Sequence, residues 1–218
     1  MSWLTQSFSG SIGRKLIMAL SGMFLIVFLI EHLLGNMMLL ESTGTDFNGY
    51  AEFMKNNPIV RVMEYVLFGG FIIHILFSAI ITSQNRMARP VRYAVNQPSA
   101  NSSWFSRNMG LTGSILFVFL VVHLNTFFIP AKITHTATAT LYDLAHGAFA
   151  NPLYTGFYVL AMALLSFHLN HGFASSFQTL GMRHPKYTPF IKVVGRLFSI
   201  GVPALFAFIP VYIYFTQQ

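Results

Sequence analysis

The sequence predicts an all-helical integral membrane protein with five transmembrane helices, in which residues 1–218 form a single domain. Charged residues make up only 9% of the 218 residues, against about 25% in a typical soluble domain. Hydrophobic residues make up 54%, with 23 Phe, and the mean hydropathy is +0.58. Because so few charges could not cover the surface of a soluble protein of this size, the soluble globular class is excluded.

Five apolar runs carry this prediction, and each has the roughly 20 residues that cross a hydrocarbon core of about 30 Å. The first run is not a cleaved signal peptide, because it is too long and has no small-residue cleavage site. The polar segment 94–106 is predicted to be a loop, and 131–150 a loop with a short interfacial helix. The predicted spans are 16–40, 59–83, 109–129, 153–180 and 190–215.

Basic residues are distributed unequally about these spans. With the N-terminus in the cytoplasm, only Lys55, Arg61 and Lys132 of the 13 Lys and Arg fall on the outer side, which is the orientation that the positive-inside rule favours. The basic inner face predicts contact with anionic lipid or with an acidic partner protein, and no nucleic-acid partner is predicted. The cytoplasmic cations are Arg14, Lys15, Arg86, Arg89, Arg92, Arg107, Arg183, Lys186, Lys192 and Arg196.

Four of the predicted spans each carry a histidine inside the membrane. At a rise of about 1.5 Å per residue, His32 and His123 lie roughly 10–12 Å from the outer ends of their spans, and His74 and His168 roughly 22 Å from theirs. Two layers of two histidines on four helices suit two stacked bis-histidine haems. Because the chain has no cysteine, c-type attachment is excluded and the haems would be b-type. The predicted fold therefore bundles four of the five helices around two haems.

This interpretation has alternatives at single positions. A lone intramembrane histidine often only hydrogen-bonds a neighbouring helix, although four histidines at two matched depths are hard to explain in that way. His171, one turn after His168, is the alternative ligand on the fourth span. Small residues one turn from the histidines, such as Gly35, Gly70 and Gly172, are expected to leave room for a macrocycle.

The two halves of the chain echo each other. An Asn-Pro pair begins the second and the fourth span, at Asn57 and Asn151, and a histidine follows each proline after 16 residues. Asn is a preferred N-cap and Pro a preferred first helical residue. The pattern predicts that the first helical hairpin is repeated by the second.

Three segments carry a resemblance to a known family: SIGRK at 11–15, EHLLGN at 31–36 and FHLNHG at 167–172. With these segments and the spacing of the four histidines, the chain resembles the di-haem cytochrome b membrane anchor of succinate:quinone oxidoreductases and fumarate reductases, of the single-chain five-helix type. The resemblance covers nearly the whole chain. It implies that His32 pairs with His123 and His74 with His168, and it favours His168 over His171.

The resemblance also implies the rest of the complex. A flavoprotein subunit would carry out the dicarboxylate chemistry, since this chain has no catalytic residue for it, and an iron–sulfur subunit would carry electrons to the membrane. Both would bind at the cytoplasmic face of a bacterial inner membrane. The chain itself would pass electrons through two b haems to or from quinone, either menaquinone or another. Some family members have a glutamate for proton transfer at the position of Ser166, and that route is not expected here.

Four further residues are candidates for quinone binding or proton transfer. Glu31 and Glu64 are carboxylates inside spans, where a charge is costly and usually functional; Glu64 could equally be an interfacial residue near a helix start. Ser11 and Arg14 mark a competing inner site that the resemblance implies. The alternative functions are an anchor cytochrome b of another respiratory oxidoreductase and a proton-coupled transporter that uses intramembrane His and Glu as relays.

Overall fold

A computed structural model describes residues 10–88, 97, 100, 102–134 and 139–217. Within these ranges all regular secondary structure is helical, as the sequence predicts, and turns and short irregular segments join the helices. The helices are α1 (Ser11–Met37), α2 (Thr45–Asn56), α3 (Pro58–Met87), α4 (Trp104–Arg107), α5 (Met109–His123), α6 (Leu141–Phe149), α7 (Pro152–Thr179) and α8 (Thr188–Thr216).

Five of these helices are long and apolar enough to cross a membrane, which confirms the predicted number of spans. Their candidate ranges run somewhat beyond the predicted ones, mainly where polar residues at one end continue the helix past the apolar part. The ranges are Ser11–Leu40, Pro58–Met87, Met109–Lys132, Pro152–Thr179 and Thr188–Thr216.

The two Asn-Pro pairs cap their helices in the same way. The Asn57 side chain accepts hydrogen bonds from two backbone N–H groups of the first turn of α3, and Asn151 does the same for α7. Each proline occupies the first helical position, where its missing N–H costs nothing. The predicted caps are confirmed.

The third span changes its winding next to its histidine. The α5 helix continues as a π-helical turn, Leu124–Phe128, directly after His123, and a second π-helical turn follows at Pro130–Thr134. Pro130 cannot donate a backbone hydrogen bond, which disfavours regular α-helix at this point. π-Helical turns are frequent at functional sites.

Two short helices cover one end of the bundle. The α6 helix confirms that a short helix lies in 131–150, and its interfacial position stays a prediction. The α2 helix was not predicted, because its sequence is mostly polar and has no long apolar run. Asp46 in its first turn and Lys55 in its last turn suit the helix dipole.

The α6 helix is joined to α2 and to the segment that leads into it. The Tyr142 N–H donates to Asn48 Oδ1 at 3.3 Å, and Tyr142 Oη donates to the Glu41 carbonyl at 2.8 Å. The Tyr142 ring fills the space beside Gly44, a residue with φ of 69°.

The bundle therefore has two chemically different ends. We call the end covered by α2 and α6 the acidic end, because all six Asp and Glu lie there or close to it. The opposite end, formed by the start of α1, α5 and α8 and the end of α3 and α7, is the basic end; its described cations are Arg14, Lys15, Arg86, Arg107, Arg183, Lys186, Lys192 and Arg196.

Helix packing leaves one side of the four histidine-bearing helices loosely closed. The α7 helix packs along α8 and also against α1 and α5, and α1 packs against α3. By contrast, α3 and α5 contact each other little. Helices α1 and α5 thus lie across one diagonal of the four-helix arrangement, and α3 and α7 across the other.

Candidate functional site: two histidine pairs inside the bundle

A continuous cavity of about 3060 Å³ runs through the four histidine-bearing helices. Typical sites for one small molecule measure roughly 300–1,000 Å³, so this space can hold more than one large planar group. All four predicted ligands line the cavity: His32, His74, His123 and His168.

The pair His32 and His123, called the outer pair after its predicted layer, lies near the acidic end. The ring centroids of His32 and His123 are 5.8 Å apart, and their planes make an angle of 85°. Phe28 stacks on His32 at 5.1 Å and Phe119 on His123 at 5.8 Å. The aromatic neighbours restrict both imidazoles and give the cavity an apolar wall at this level.

The inner histidine pair lies nearer the basic end. The ring centroids of His74 and His168 are 6.4 Å apart, at an angle of 68°. Each pair joins helices on one diagonal of the bundle, α1 with α5 and α3 with α7. These are the two pairings that the sequence predicts.

Both separations fit an axially ligated metal. Bonds from imidazole nitrogen to a metal are about 2 Å long, so two imidazoles on opposite sides of one metal have ring centroids roughly 6 Å apart. The distances of 5.8 and 6.4 Å agree with this value. No cluster of three or more His, Asp or Glu that could hold a metal alone occurs among the described residues; a haem iron needs only the two axial side chains.

The remaining ring nitrogens face polar side chains. His123 Nδ1 is 3.0 Å from Tyr158 Oη, His74 Nδ1 is 3.2 Å from Ser21 Oγ, and His168 Nδ1 is 3.5 Å from Thr112 Oγ1. Nδ1 of the fourth ligand, His32, lies 3.4 Å from the Asn36 amide nitrogen. For His74, His123 and His168 the facing hydroxyl oxygen can accept from an Nδ1–H group, which leaves Nε2 for a metal, as is usual for metal-binding histidines.

Two helices give the distance between the layers. On α1, Ser21 contacts the inner pair and His32 belongs to the outer pair; on α7, Tyr158 contacts the outer pair and His168 belongs to the inner pair. Ten and eleven residues correspond to about 15–17 Å along a helix axis. The depths predicted from the sequence correspond to a separation of only about 10–12 Å, because counting from the span ends assumes that all ends lie at one level.

Two of the glycines expected beside a macrocycle have other neighbours. A Cβ at Gly35 would come within 2.7 Å of the Tyr50 ring, and one at Gly70 within 2.9 Å of Phe24. These glycines therefore make room for aromatic side chains. Gly35 and Gly172 both line the cavity, but only Gly172 of the three has open space at its Cβ position, with nothing within 4 Å, in line with the expectation.

His171 also lines the cavity. It is three residues after His168, which places it about 4.5 Å further toward the basic end and about 60° around the α7 axis. At that level it is out of register with His74.

The two predicted carboxylates both line the cavity toward the acidic end. Tyr50 Oη of α2 donates to Glu31 Oε1 at 2.6 Å. Burial raises the pKa of Tyr50 above its usual range, and the Glu31 carboxylate raises it further. Glu64 Oε2 accepts from Lys132 Nζ at 2.7 Å, with both side chains about one-fifth exposed. This ion pair bridges the loosely packed α3 and α5 spans, so Glu64 is more than an isolated residue at a helix start.

The competing residues Ser11 and Arg14 occupy the first turn of α1 at the basic end. The lining of the cavity includes the neighbouring Lys15, together with Arg86, Lys192 and Arg196, but neither Ser11 nor Arg14. The charged residues of the lining are thus all cations at the basic end, whereas both carboxylates lie at the acidic end, together with Lys55 and Lys132.

Comparison with known proteins gives one informative relative. The chain is 24% identical over 192 residues to the succinate dehydrogenase cytochrome b558 subunit of Bacillus subtilis (strain 168). The aligned region covers 84% of this chain and 89% of that protein. The chain is therefore similar to a succinate dehydrogenase cytochrome b anchor. This relationship confirms the resemblance that the sequence motifs predict. No protein-family model matches the chain, and no solved structure matches it significantly.

Sequence reasoning missed the polar side chains behind the histidines. A signal was present: a hydroxyl residue followed by glycine, Ser21-Gly22 and Thr112-Gly113, stands eleven residues before His32 and before His123. This equal spacing extends the internal repeat, which the Asn-Pro pairs mark in the second and fourth spans, to the first and third spans.

Proposed function

We propose that this chain is the membrane anchor and cytochrome b subunit of a succinate dehydrogenase or fumarate reductase complex, and that it holds two b haems. The observation that carries the proposal is the pair of diagonal histidine contacts, at 5.8 and 6.4 Å between ring centroids, inside one cavity. A transporter with histidine relays would not require two imidazole pairs at metal-bridging separation.

When bound, each haem supplies a one-electron carrier that the polypeptide lacks. His32 and His123 would hold the outer haem, and His74 and His168 the inner one. Phe28 and Phe119, which stack on His32 and His123, would shield the outer haem from water. Non-covalent binding follows from the absence of cysteine.

The basic end is proposed to face the cytoplasm and to receive the iron–sulfur and flavoprotein subunits. The distribution of Lys and Arg supports this orientation through the positive-inside rule. Electrons would then pass between the iron–sulfur partner and the inner haem first, and the outer haem would extend the path toward the acidic end.

Quinone, menaquinone or another, is proposed to react at the acidic mouth of the cavity. Reduction or oxidation of a quinone moves protons as well as electrons, and Glu31 with Tyr50 and Glu64 with Lys132 supply exchangeable protons there. Ser11 and Arg14 at the basic end remain the alternative location, and their position outside the cavity lining makes them the less favoured one.

Haem content tests the central proposal. The purified complex should release about two haems per copy of this chain in a pyridine haemochrome assay after acid–acetone extraction, and it should show a reduced-minus-oxidised spectrum of b-type cytochrome. One haem or none would refute the proposal, and absence of any redox spectrum would favour the transporter.

Quinone turnover tests the assignment of the acidic mouth. Glu31→Gln and Glu64→Gln should slow quinone-linked turnover several-fold while both haems remain bound. Glu52→Gln is the matched control, because Glu52 lies on α2 at the same end, accepts a hydrogen bond from Asn56 at 2.6 Å and is not part of the cavity lining. Unchanged turnover in both test variants would move the quinone site elsewhere.

A further inference from the structure

We propose that Ser21 and Thr112 are positioning residues that fix the tautomer of the two inner histidines and thereby lower the reduction potential of the inner haem. This inference rests on the proposed haem sites. It assigns a role to two hydroxyl groups that lie on the helices neighbouring those of the ligands, one in each half of the chain.

Both hydroxyl groups are buried behind the inner pair. Ser21 is 8% exposed and Thr112 is 3% exposed, although polar side chains in an apolar bundle are costly unless they have partners. Ser21 Oγ lies 3.2 Å from His74 Nδ1, and Thr112 Oγ1 lies 3.5 Å from His168 Nδ1. Each hydroxyl thus reaches a ligand that belongs to the next span.

The direction of these contacts follows from where the hydroxyl protons go. Ser21 Oγ donates its single proton to the Met18 carbonyl at 3.1 Å. Thr112 Oγ1 donates to the Asn108 or Met109 carbonyl, at 3.1 or 3.2 Å. With its proton engaged, each oxygen can only accept from the histidine. The imidazoles therefore carry their protons on Nδ1, and the Nε2 lone pairs are free for iron.

A glycine beside each hydroxyl makes the approach possible. A Cβ at Gly22 would lie 3.3 Å from His74 Cε1, and a Cβ at Gly113 would lie 3.5 Å from His168 Cε1. The same hydroxyl–glycine dipeptide thus meets the inner histidine of the following span in both halves of the chain. Two independent occurrences at matching positions argue against chance packing.

The outer pair is supported differently. Tyr158, which faces His123, belongs to a chain of hydroxyl groups through Tyr154 and Thr126. His32 faces the Asn36 amide nitrogen, which already donates to the His32 carbonyl at 2.7 Å. Only in the inner pair does each histidine face a hydroxyl group whose own proton is donated to a backbone carbonyl.

The consequence is electronic. An acceptor at Nδ1–H makes an imidazole a more basic ligand, which stabilises ferric over ferrous iron and is one of the means by which a protein sets a haem potential. Removing the acceptor should therefore shift the potential of the inner haem upward and leave that of the outer haem, about 15 Å away along the helices, unchanged.

Redox titration of the purified complex tests this inference. In Ser21→Ala and in Thr112→Ala, the ferrous-to-ferric ratio of one haem at a given potential should rise about tenfold, which equals about +59 mV for a one-electron couple. The second haem should keep its wild-type potential. Ser114→Ala is the matched control, because Ser114 lies on the helix of Thr112 and its Oγ donates to the Gly110 carbonyl at 2.8 Å, with no hydrogen bond to a histidine among the described residues.

Conservative variants separate electronic tuning from a merely structural role. Ser21→Thr and Thr112→Ser keep the hydroxyl and should restore the wild-type potential, and they should restore haem content if an alanine variant loses the inner haem. Potentials in the alanine variants that equal the Ser114→Ala control, equal shifts in both haems, or failure of the conservative variants to restore the wild type would overturn the inference. A wild-type complex without two haems would refute the proposed function itself.

Discussion

Replacing His168 with alanine should remove the inner haem and leave the outer one. The α7 helix supplies a single imidazole at the level of His74, at 6.4 Å between ring centroids. His171 cannot take its place, because it lies about 4.5 Å along the axis and about 60° around it, so α7 would have to slide by most of a turn. Since the outer pair lies about 15 Å away along the helices, its ligands are unaffected.

The magnitude is a fall from about two haems to about one haem per chain in His168→Ala, measured by pyridine haemochrome against protein concentration in the purified complex. The matched control is His171→Ala, a change of the same residue type on the same helix and in the same cavity, which should keep about two haems. A reduced-minus-oxidised spectrum recorded at low temperature identifies which haem remains.

Opposite results would refute the reasoning. If His171→Ala lost a haem while His168→Ala kept both, the ligand on α7 would be His171. If His168→Ala lost both haems while the complex remained assembled, the two layers would not be independent.

Three further changes test the fold around the site. A Cβ at Gly195 would lie 2.5 Å from Phe173 Cδ1, so Gly195→Ala should lower the free energy of unfolding in detergent by about 1–3 kcal/mol. Gly156→Ala is the control and should not lower it, because nothing lies within 4 Å of that Cβ position. Equal stability of the two variants would contradict the α7–α8 packing. Asn151→Ala removes the cap of α7 and should lower the free energy of unfolding, measured in the same way, by about 1 kcal/mol. An unchanged free energy of unfolding would contradict the cap. If the N-terminus is cytoplasmic, five spans place the C-terminus outside. Alkaline phosphatase fused to the C-terminus should then be active, and a fluorescent protein fused there should be dark. The reverse result would invert the orientation.

The sequence alone was enough to predict the features that depend on local quantities. Span number follows from the length of each apolar run, the caps of α3 and α7 from Asn-Pro pairs, and the two histidine layers from a rise that is the same in every helix. Hydropathy did not predict α2, because that helix is amphipathic and short and is held at the acidic end by contacts such as that of Tyr50 with Glu31.

The tertiary structure decided the features that depend on how one helix is rotated toward another. Lys132 and Glu64 are 68 residues apart and form an ion pair only because the start of α3 lies beside the π-helical end of the third span. Likewise, no count along the chain shows that Ser21 meets His74 or that Thr112 meets His168, since each contact joins two spans whose relative rotation is set by close packing at glycines. The depth of a histidine depends on the rise along its own helix, whereas the side chain that its imidazole contacts depends on how two helices pack.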